Sequence, residues 1–201
     1  MHPEILSKEQ IKLLPVAGLF KNNFGLVGGT AIALYLGHRR SIDFDLFSDK
    51  EFDNFKIRKK IEREEKIYTV YKDEQGQYTF LLSGVQFTFF NYPFSIEYKH
   101  IFEDYFRLPD LLTLAAMKAY VLGRRAKWKD YVDLYFILRD RHSLIEIAAQ
   151  AKKIFAGEFN ERIFREQLCF FDDVNYTETI DYMPGFEVSD KEIKKALIAQ
   201  I

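Results

Sequence analysis

The chain has 201 residues, which is long enough to bury a hydrophobic core as one domain or as two closely packed lobes. Its 29 basic and 30 acidic residues give a net charge of -1, so bulk charge gives no support for sequence-independent nucleic-acid binding. The single cysteine, Cys169, excludes an intramolecular disulfide and a cysteine-rich zinc site. With no signal-peptide pattern and no run of about 20 apolar residues, the sequence predicts a cytoplasmic protein without membrane contacts.

The chain begins with a predicted helix and a short apolar run. Residues 8–21 have helical character, and Ser7 and Gln10 have the spacing of a capping box at the start of that helix. Pro15 is expected to break or kink the helix, because proline has no backbone N–H to donate. Residues 24–27 form a short apolar run that favours a strand.

A glycine pair and a second predicted helix follow. Gly28 and Gly29 end the apolar run, and residues 30–36 place apolar side chains at helical spacing. Thr30 is suited to cap the start of this helix and Gly37 to end it. The local pattern is therefore a strand, a tight turn and a helix.

Predicted strands dominate the next segment. Residues 42–47 alternate in polarity, which indicates a strand with Asp43 and Asp45 on one face and Ile42 on the opposite, apolar face. A charged helix is expected at 51–65. Three further strands are expected at 66–72, 77–82 and 85–91, joined by turns at Asp73-Glu74-Gln75-Gly76 and Ser83-Gly84.

The character of the sequence changes near Pro109. Five helices are predicted after it, at 109–122, 129–140, 143–155, 159–170 and 189–200, with a loop at 172–188. The predicted fold class is therefore α+β. A mixed sheet with flanking helices would occupy residues 1–105, and a helical part would occupy residues 106–201.

The informative motif runs from Gly28 to Phe47. Paired glycines at a strand-to-helix turn let backbone N–H groups approach a phosphate, and the positive N-terminal end of the following helix suits an anion. Asp43 and Asp45, two apart on a strand, project from one face roughly 6–7 Å apart at Cβ. Such carboxylates can bind one Mg²⁺, or two metal ions, opposite the phosphate. The combination indicates nucleotidyl transfer.

Each half of this motif also has a plain structural interpretation. Most Gly-Gly pairs only form tight turns, and an Asp-x-Asp segment can be the solvent face of an edge strand. The two together, in this order and spacing, favour a site. Two like charges on one face between apolar residues are also unfavourable unless a cation compensates them.

At this point the sequence resembles a known family. Gly28-Gly29-Thr30, a short helix and then Arg40-Ser41-Ile42-Asp43-Phe44-Asp45-Leu46 are similar to the nucleotidyltransferase superfamily with the DNA-polymerase-β-type fold. More narrowly, they resemble the AbiEii/AbiGii toxin family. A second segment strengthens the narrower resemblance. It consists of Lys118 and, after it, Lys127-Trp128-Lys129-Asp130-Tyr131-Val132-Asp133-Leu134, and the similarity covers about residues 20–140.

The resemblance implies a function and a set of roles. The family is known for toxins of type IV toxin–antitoxin and abortive-infection systems, which transfer a nucleotide from a nucleoside triphosphate, in some members to tRNA. A tRNA or protein acceptor, a cognate antitoxin and Mg²⁺ (or Mn²⁺) are the implied partners and cofactor. The implied nucleotide-binding residues are Gly28, Gly29, Thr30, Arg40 and Ser41. The implied catalytic residues are Asp43 and Asp45 as metal ligands, Lys118 as a phosphate-facing base, and Lys127 and Asp130 as completing residues.

The residues alone support the second segment less strongly. Lys127 and Asp130 are three apart on a predicted helix, so a surface ion pair worth less than about 0.5 kcal/mol is the simpler interpretation without the family. Arg124 and Arg125 could contact phosphates or could be solvated at a helix end.

One expected feature of polymerase-type transferases is missing. A neighbouring strand usually carries a third carboxylate, but Val85 to Phe90 contains no acid and Thr88 stands near the expected position. Two alternatives to an RNA- or protein-modifying toxin therefore stay open. One is a non-catalytic nucleotide-binding module, and the other is a transferase that modifies a small molecule.

Several other residues are given structural interpretations. His38, His100 and His142 are predicted to lie at the surface or in turns, and Cys169 in the core. The aromatic residues Phe87, Phe89, Phe90, Tyr92 and Phe94 are predicted to form a packed sheet face, although Tyr92-Pro93-Phe94 could border the cleft.

Overall fold

The computed structural model describes residues 1–122 and 124–201, and a five-stranded mixed sheet forms the first half of the fold. The strands are β1 (Gly25–Val27), β2 (Phe44–Ser48), β3 (Thr69–Glu74), β4 (Gln77–Leu82) and β5 (Val85–Asn91). Their order is β1-β2-β5-β4-β3, with β2 and β5 parallel and the other neighbours antiparallel. The parallel pairing places the central strands β2 and β5 side by side with their side chains in register, so Asp45 lies beside Thr88.

Helix α1 (Lys8–Gly18) starts at the predicted capping box. The Ser7 hydroxyl accepts from the Gln10 N–H at 3.1 Å, and the Gln10 side chain accepts from the Ser7 N–H at 3.0 Å. Pro15 lies inside the helix without ending it, so the predicted break is wrong. Pro15 points to solvent, while apolar neighbours such as Leu14 and Val16 are buried and hold the helix on the core.

Helix α2 (Gly28–Leu36) starts two residues earlier than expected. Val27 is its N-cap, so the prediction that Thr30 caps the helix is wrong. The Thr30 hydroxyl instead donates to the Asp43 carbonyl, and it lies 3.4 Å from the Ser41 carbonyl. Thr30 therefore ties α2 to the segment that precedes β2. Gly37 ends the helix in the left-handed conformation (φ 69°), as predicted.

Strand β2 starts at Phe44, which changes the predicted position of Ile42. Phe44 and Leu46 are buried, but Ile42 lies before the strand and is 59% exposed, so its placement on the apolar face is wrong. Hydrogen bonds from side chains hold this segment instead of strand pairing. Besides the bond from Thr30, the Gln10 amide donates to the Ser41 carbonyl at 2.9 Å.

The middle of the chain contains the charged helix and the two predicted hairpins. Helix α3 (Asn54–Ile61) is shorter than expected, because the Asp53 carboxylate accepts from the first N–H groups and fixes its start. Both turns lie where predicted. A small hairpin of β6 (His100–Phe102) and β7 (Phe106–Leu108) was not predicted, because three-residue strands carry too little periodicity.

The five predicted C-terminal helices are present. They are α4 (Leu111–Leu122), α5 (Trp128–Asp140), α6 (Leu144–Phe155), α7 (Glu161–Cys169) and α8 (Asp190–Ile198), and short 3₁₀ helices lie at Pro3–Ile5 and Ala156–Glu158. Cys169 ends α7 and is only partly buried, not in the core as predicted. Residues 1–122 and 124–201 contain no helix with both the length and the apolar character to cross a membrane.

Aromatic side chains fill the interior of the sheet. Phe44, Phe80, Phe87 and Phe89 are fully buried, and the Phe80 and Phe87 rings stack with centroids 5.5 Å apart. Of the five aromatic residues predicted to form a packed sheet face, Phe87 and Phe89 lie on it, whereas Phe90 lies on the opposite face of β5 and is only partly buried. The mixed α+β class is confirmed. Helix α2 packs against both α4 and α5, so buried contacts join the two parts of the chain. The division near residue 105 stays a prediction.

A buried ionic network lies where these parts meet. Asp133 accepts from His38 Nε2 at 2.8 Å, from Arg39 Nε at 2.7 Å and from Arg39 Nη2 at 2.9 Å, and Lys118 Nζ lies 3.0 Å from it. Burial alone would raise the pKa of Asp133, but the Arg39 and Lys118 charges outweigh burial and hold that pKa well below its usual value. His38 is fully buried, so its predicted surface position is wrong.

We expect Asp133→Ala to lower the free energy of unfolding by about 3–5 kcal/mol, because it leaves the buried Arg39 guanidinium without its acid and removes one of the two acids beside Lys118. Urea denaturation followed by circular dichroism measures this loss. The matched control is Asp140→Ala on the same helix, where the acid pairs with Arg139 at the surface and its removal should change stability by less than about 1 kcal/mol. Equal, small losses in both variants would contradict a structural role for the network.

Candidate active site

A cavity of about 570 Å³ opens where the sheet meets the C-terminal helices. Its walls come from the turn between β1 and α2, from one face of β2, β4 and β5, from α4, from the start of α5 and from the loop at 172–188. Two separated sequence motifs therefore meet at one cavity. The Gly28-Gly29 turn and the Asp43/Asp45 pair lie on the sheet side, and Lys118 and Lys127 lie on the helical side.

The glycine pair is required by its surroundings. Gly28 has φ +72°, a conformation that favours glycine, and a Cβ atom at this position would collide with the carboxylate of Asp45. A Cβ atom at Gly29 would lie 2.6 Å from Arg39 Nη2 and 3.0 Å from Ser41 Oγ. The backbone of the turn thus lies so close to the Asp45 carboxylate that only glycine fits at position 28.

Asp43 and Asp45 both point into the cavity and repel each other. Burial raises the pKa of both carboxyls, and the Asp43 charge raises the pKa of Asp45 further. Across the described part of the chain, neither carboxylate has an ion-pair partner or accepts a hydrogen bond. Two hard, half-buried carboxylates that form no ion pair are a donor set that suits Mg²⁺ or Mn²⁺.

Lys118 lies between the cavity and the buried network. It is 7% exposed, it forms a close ion pair with Asp130, and it lies 3.0 Å from Asp133. Burial would lower the pKa of Lys118, but the charges of Asp130 and Asp133 outweigh burial and raise it. The ammonium therefore keeps its proton and presents a fixed positive charge to the cavity.

The start of α5 brings two more lysines to the cavity. Lys127 Nζ lies 2.6 Å from Glu178 Oε1, and Lys129 forms a close ion pair with Glu178 Oε2. The expected Lys127–Asp130 surface pair is absent, because Asp130 is fully buried and pairs with Lys118 and, at 3.4 Å, with Arg125. Lys127 is the N-cap of α5 and has an extended backbone (φ -99°, ψ 129°), so it precedes the helix and lines the cavity, whereas Asp130 lies within the helix and is buried.

The implied nucleotide-binding residues do not all reach the cavity. Gly28, Gly29 and Ser41 line it. Thr30 is buried below it and bonds the Asp43 carbonyl. Arg40 points away, toward Asp181 at 3.5 Å. Arg40 is therefore not placed to contact a nucleotide in this cavity. Thr30 acts on the site through its hydrogen bond to the Asp43 carbonyl.

The neighbouring strands supply a neutral wall. The cavity is lined on this side by Gln77, Thr79, Gln86, Thr88, Phe90 and Tyr92. Thr88 pairs in register with Asp45, so the position beside the Asp pair holds a hydroxyl, as expected from the sequence. Tyr92 borders the cleft, as the alternative interpretation of Tyr92-Pro93-Phe94 foresaw.

Sequence reasoning missed two charged residues of the cavity. Lys129 follows Lys127 by two positions, and its charge could have been counted with the motif. No sequence pattern pointed to Glu178, because the loop at 172–188 reaches the start of α5 only in the folded protein. Of the two arginines considered, Arg125 lines the cavity, whereas Arg124 stacks on Tyr120 with its guanidinium 3.7 Å from the ring centroid.

We expect Asp45→Asn to stabilise the metal-free protein at pH 7 by about 0.5–1 kcal/mol, the scale of a like-charge contact. The raised pKa of Asp45 means that its ionised form is unfavourable at neutral pH, and that this penalty is relieved as the pH falls through the raised pKa. The advantage of the variant should therefore shrink as the pH falls toward 4. Urea denaturation of both proteins in EDTA at several pH values measures it.

Glu51→Gln is the control for this measurement, because Glu51 is exposed and remote from the cavity. It should leave stability unchanged at every pH. An Asp45→Asn protein that is less stable than the unmodified protein at pH 7 would show that the pair is already compensated.

Comparison with known proteins identifies the family of the chain. A family model described as the nucleotidyl transferase AbiEii toxin of type IV toxin–antitoxin systems matches residues 16–199. An uncharacterised protein of Aquifex aeolicus (strain VF5) is 31% identical over 185 residues, which cover 87% of this chain and 86% of the relative.

Two solved structures share the fold. MenT4, a nucleotidyltransferase toxin from Mycobacterium tuberculosis H37Rv, superposes with a TM-score of 0.64 at 11% identity and covers 96% of this chain and 81% of its own. JHP933 from Helicobacter pylori superposes with a TM-score of 0.58 at 16% identity and covers 97% and 91%. The predicted nucleotidyltransferase-type fold is thereby confirmed.

Proposed function

The chain belongs to the AbiEii family of nucleotidyltransferase toxins, and from this premise we propose that Asp43 and Asp45 bind the Mg²⁺ (or Mn²⁺) needed for nucleotidyl transfer. One observation carries the proposal. Both carboxylates line a cavity that is also lined by the Gly28-Gly29 turn, and burial raises the pKa of both. Bound metal would neutralise the triphosphate, activate the acceptor hydroxyl and stabilise the leaving pyrophosphate.

The triphosphate is proposed to lie between the two sides of the cavity. On the sheet side, Gly28 and Gly29 present the N-terminal end of α2, where free N–H groups and the helix dipole favour an anion. On the helical side, Lys118 and Lys127 supply positive charge. Asp130 takes part indirectly, because it holds the Lys118 ammonium at the cavity wall.

The acceptor is proposed to approach along the neutral wall of β4 and β5. Thr88 and Gln86 can exchange hydrogen bonds with a hydroxyl, and Phe90 and Tyr92 can stack against a base. An RNA acceptor such as tRNA, or a protein hydroxyl, suits this surface. The acceptor, the cognate antitoxin and the cytoplasmic location remain predictions from the family resemblance and the sequence.

A second candidate function rests on Thr88. Because the position beside Asp45 holds a hydroxyl where a third acid is usual, a nucleotide-binding module without turnover fits the same cavity. Calorimetry with each nucleoside triphosphate distinguishes the two: Mg²⁺-independent binding without any product supports the module. Transfer to a small molecule is distinguished by the acceptor that becomes labelled.

We expect the purified protein to label an acceptor when it is incubated with Mg²⁺, each labelled nucleoside triphosphate and total tRNA. Asp43→Ala and Asp45→Ala should each lower the initial rate by roughly a thousandfold, because each removes a ligand of the metal that would offset the charge of the triphosphate. Glu51→Ala is the control and should keep the full rate.

Two outcomes would contradict the proposed function. If no tRNA or protein is labelled and Asp43→Ala and Asp45→Ala leave cellular toxicity unchanged, the proposed site is wrong. If labelling persists in EDTA, the metal dependence is wrong.

A further inference from the structure

The carboxylate of Glu178 occupies the helical side of the cavity. Its Oε1 lies 2.6 Å from Lys127 Nζ and its Oε2 forms a close ion pair with Lys129 Nζ, so one acid holds both lysines. All three residues line the cavity that contains Asp43 and Asp45. In nucleotidyl transfer, a pair of ammonium groups at such a place would be expected to contact phosphate oxygens.

The backbone of the loop delivers Glu178 to this position. Asn175, three residues earlier, accepts from the Trp128 N–H at 3.0 Å through its carbonyl, and its own N–H donates to the Ala126 carbonyl at 2.7 Å. The Tyr176 ring packs on Trp128 with centroids 5.2 Å apart. The chain is thus fixed to the start of α5 just before Glu178, whereas the Glu178 side chain is 43% exposed and is held by its two lysines alone.

The position of Glu178 is electrostatically costly for the cavity. Burial is the main cause of the raised pKa of Asp43, and the charge of Glu178 adds to it. The two lysines and their hydrogen bonds outweigh burial at Glu178 and lower its pKa to about 2, so this acid is ionised at neutral pH. The cavity therefore contains a third negative charge near the proposed metal ligands.

A role as the missing third metal ligand fits the geometry poorly. Within residues 1–122 and 124–201, no three His, Cys, Asp or Glu side chains are arranged to hold a metal ion. Both oxygens of Glu178 are already engaged by ammonium groups. The acid faces the lysines that would contact phosphate.

We propose that Glu178 is an internal occupant of the phosphate site, held by Lys127 and Lys129 in the free protein and displaced by the incoming triphosphate. This inference rests on the proposed function, because it assumes that the triphosphate binds in this cavity. Displacement needs only rotation of the Glu178 side chain, since the backbone bonds of Asn175 can persist. Glu178 is therefore a positioning residue that sets the affinity for polyphosphate.

The test is calorimetric titration of the full chain with inorganic tripolyphosphate in EDTA. Glu178→Gln removes the competing charge at nearly constant volume and should tighten binding by about tenfold, the scale of a charge-assisted hydrogen bond. Lys127→Met/Lys129→Met should weaken binding, and adding Glu178→Gln to this double variant should give no gain. Asp172→Asn, an exposed acid on the same loop outside the cavity, is the matched control and should leave the Kd unchanged.

Three outcomes would overturn the inference. Unchanged or weaker binding of tripolyphosphate by Glu178→Gln shows that the carboxylate does not compete. Weaker binding of Mg²⁺ alone by Glu178→Gln assigns the acid to the metal. If neither the unmodified protein nor any variant binds tripolyphosphate, the phosphate site is wrong and the proposed function fails with it. If binding depends on Lys127 and Lys129 but not on Glu178, only the inference about Glu178 fails.

Discussion

The rest of the structure depends on the buried ion pairs and hydrogen bonds of the Asp133 carboxylate. It accepts hydrogen bonds from His38 and Arg39, which follow α2, and it pairs with Lys118 of α4. Arg39 Nη2 also lies against Gly29, so the ion pair that joins the segment after α2 to α4 and α5 also contacts the glycine turn. The fold and the candidate site therefore share the charges of this network.

A balance of charge explains the arrangement of the cavity. On the sheet side, the two carboxylates form no ion pair within the described residues, and on the helical side the ammonium groups pair with acids of this chain. Free protein satisfies the helical side internally and leaves the sheet side uncompensated. A metal-bound polyphosphate brings a cation for the carboxylates of the sheet side. It also brings an anion that can replace the acids paired with the ammonium groups of the helical side, so it matches both sides of the cavity.

Local features of the sequence predicted much of this structure. The capping box of α1, the αL glycine after α2, the hairpin turns and the alternation that directs Asp43 and Asp45 to one face all arise from neighbouring residues. Long-range contacts were beyond the sequence. His38 was expected at the surface or in a turn, but it is buried and bonds a residue 95 positions away. The residues alone favoured a Lys127–Asp130 surface pair, whereas the partners of Asp130 are Lys118 and Arg125. Glu178 reaches the cavity through a loop without any periodicity.

The contact between Gly28 and Asp45 has a genetic consequence. Every amino acid other than glycine carries a Cβ atom, and at position 28 that atom would displace the Asp45 carboxylate, whereas the three atoms nearest to it include none of the buried network. Among cells that escape a growth-inhibiting protein of this kind, codon 28 should therefore be a recurrent site of missense change. Such survivors would contain full-length protein in normal amount, unlike survivors that carry changes at Asp133, in which the protein should be lost to degradation.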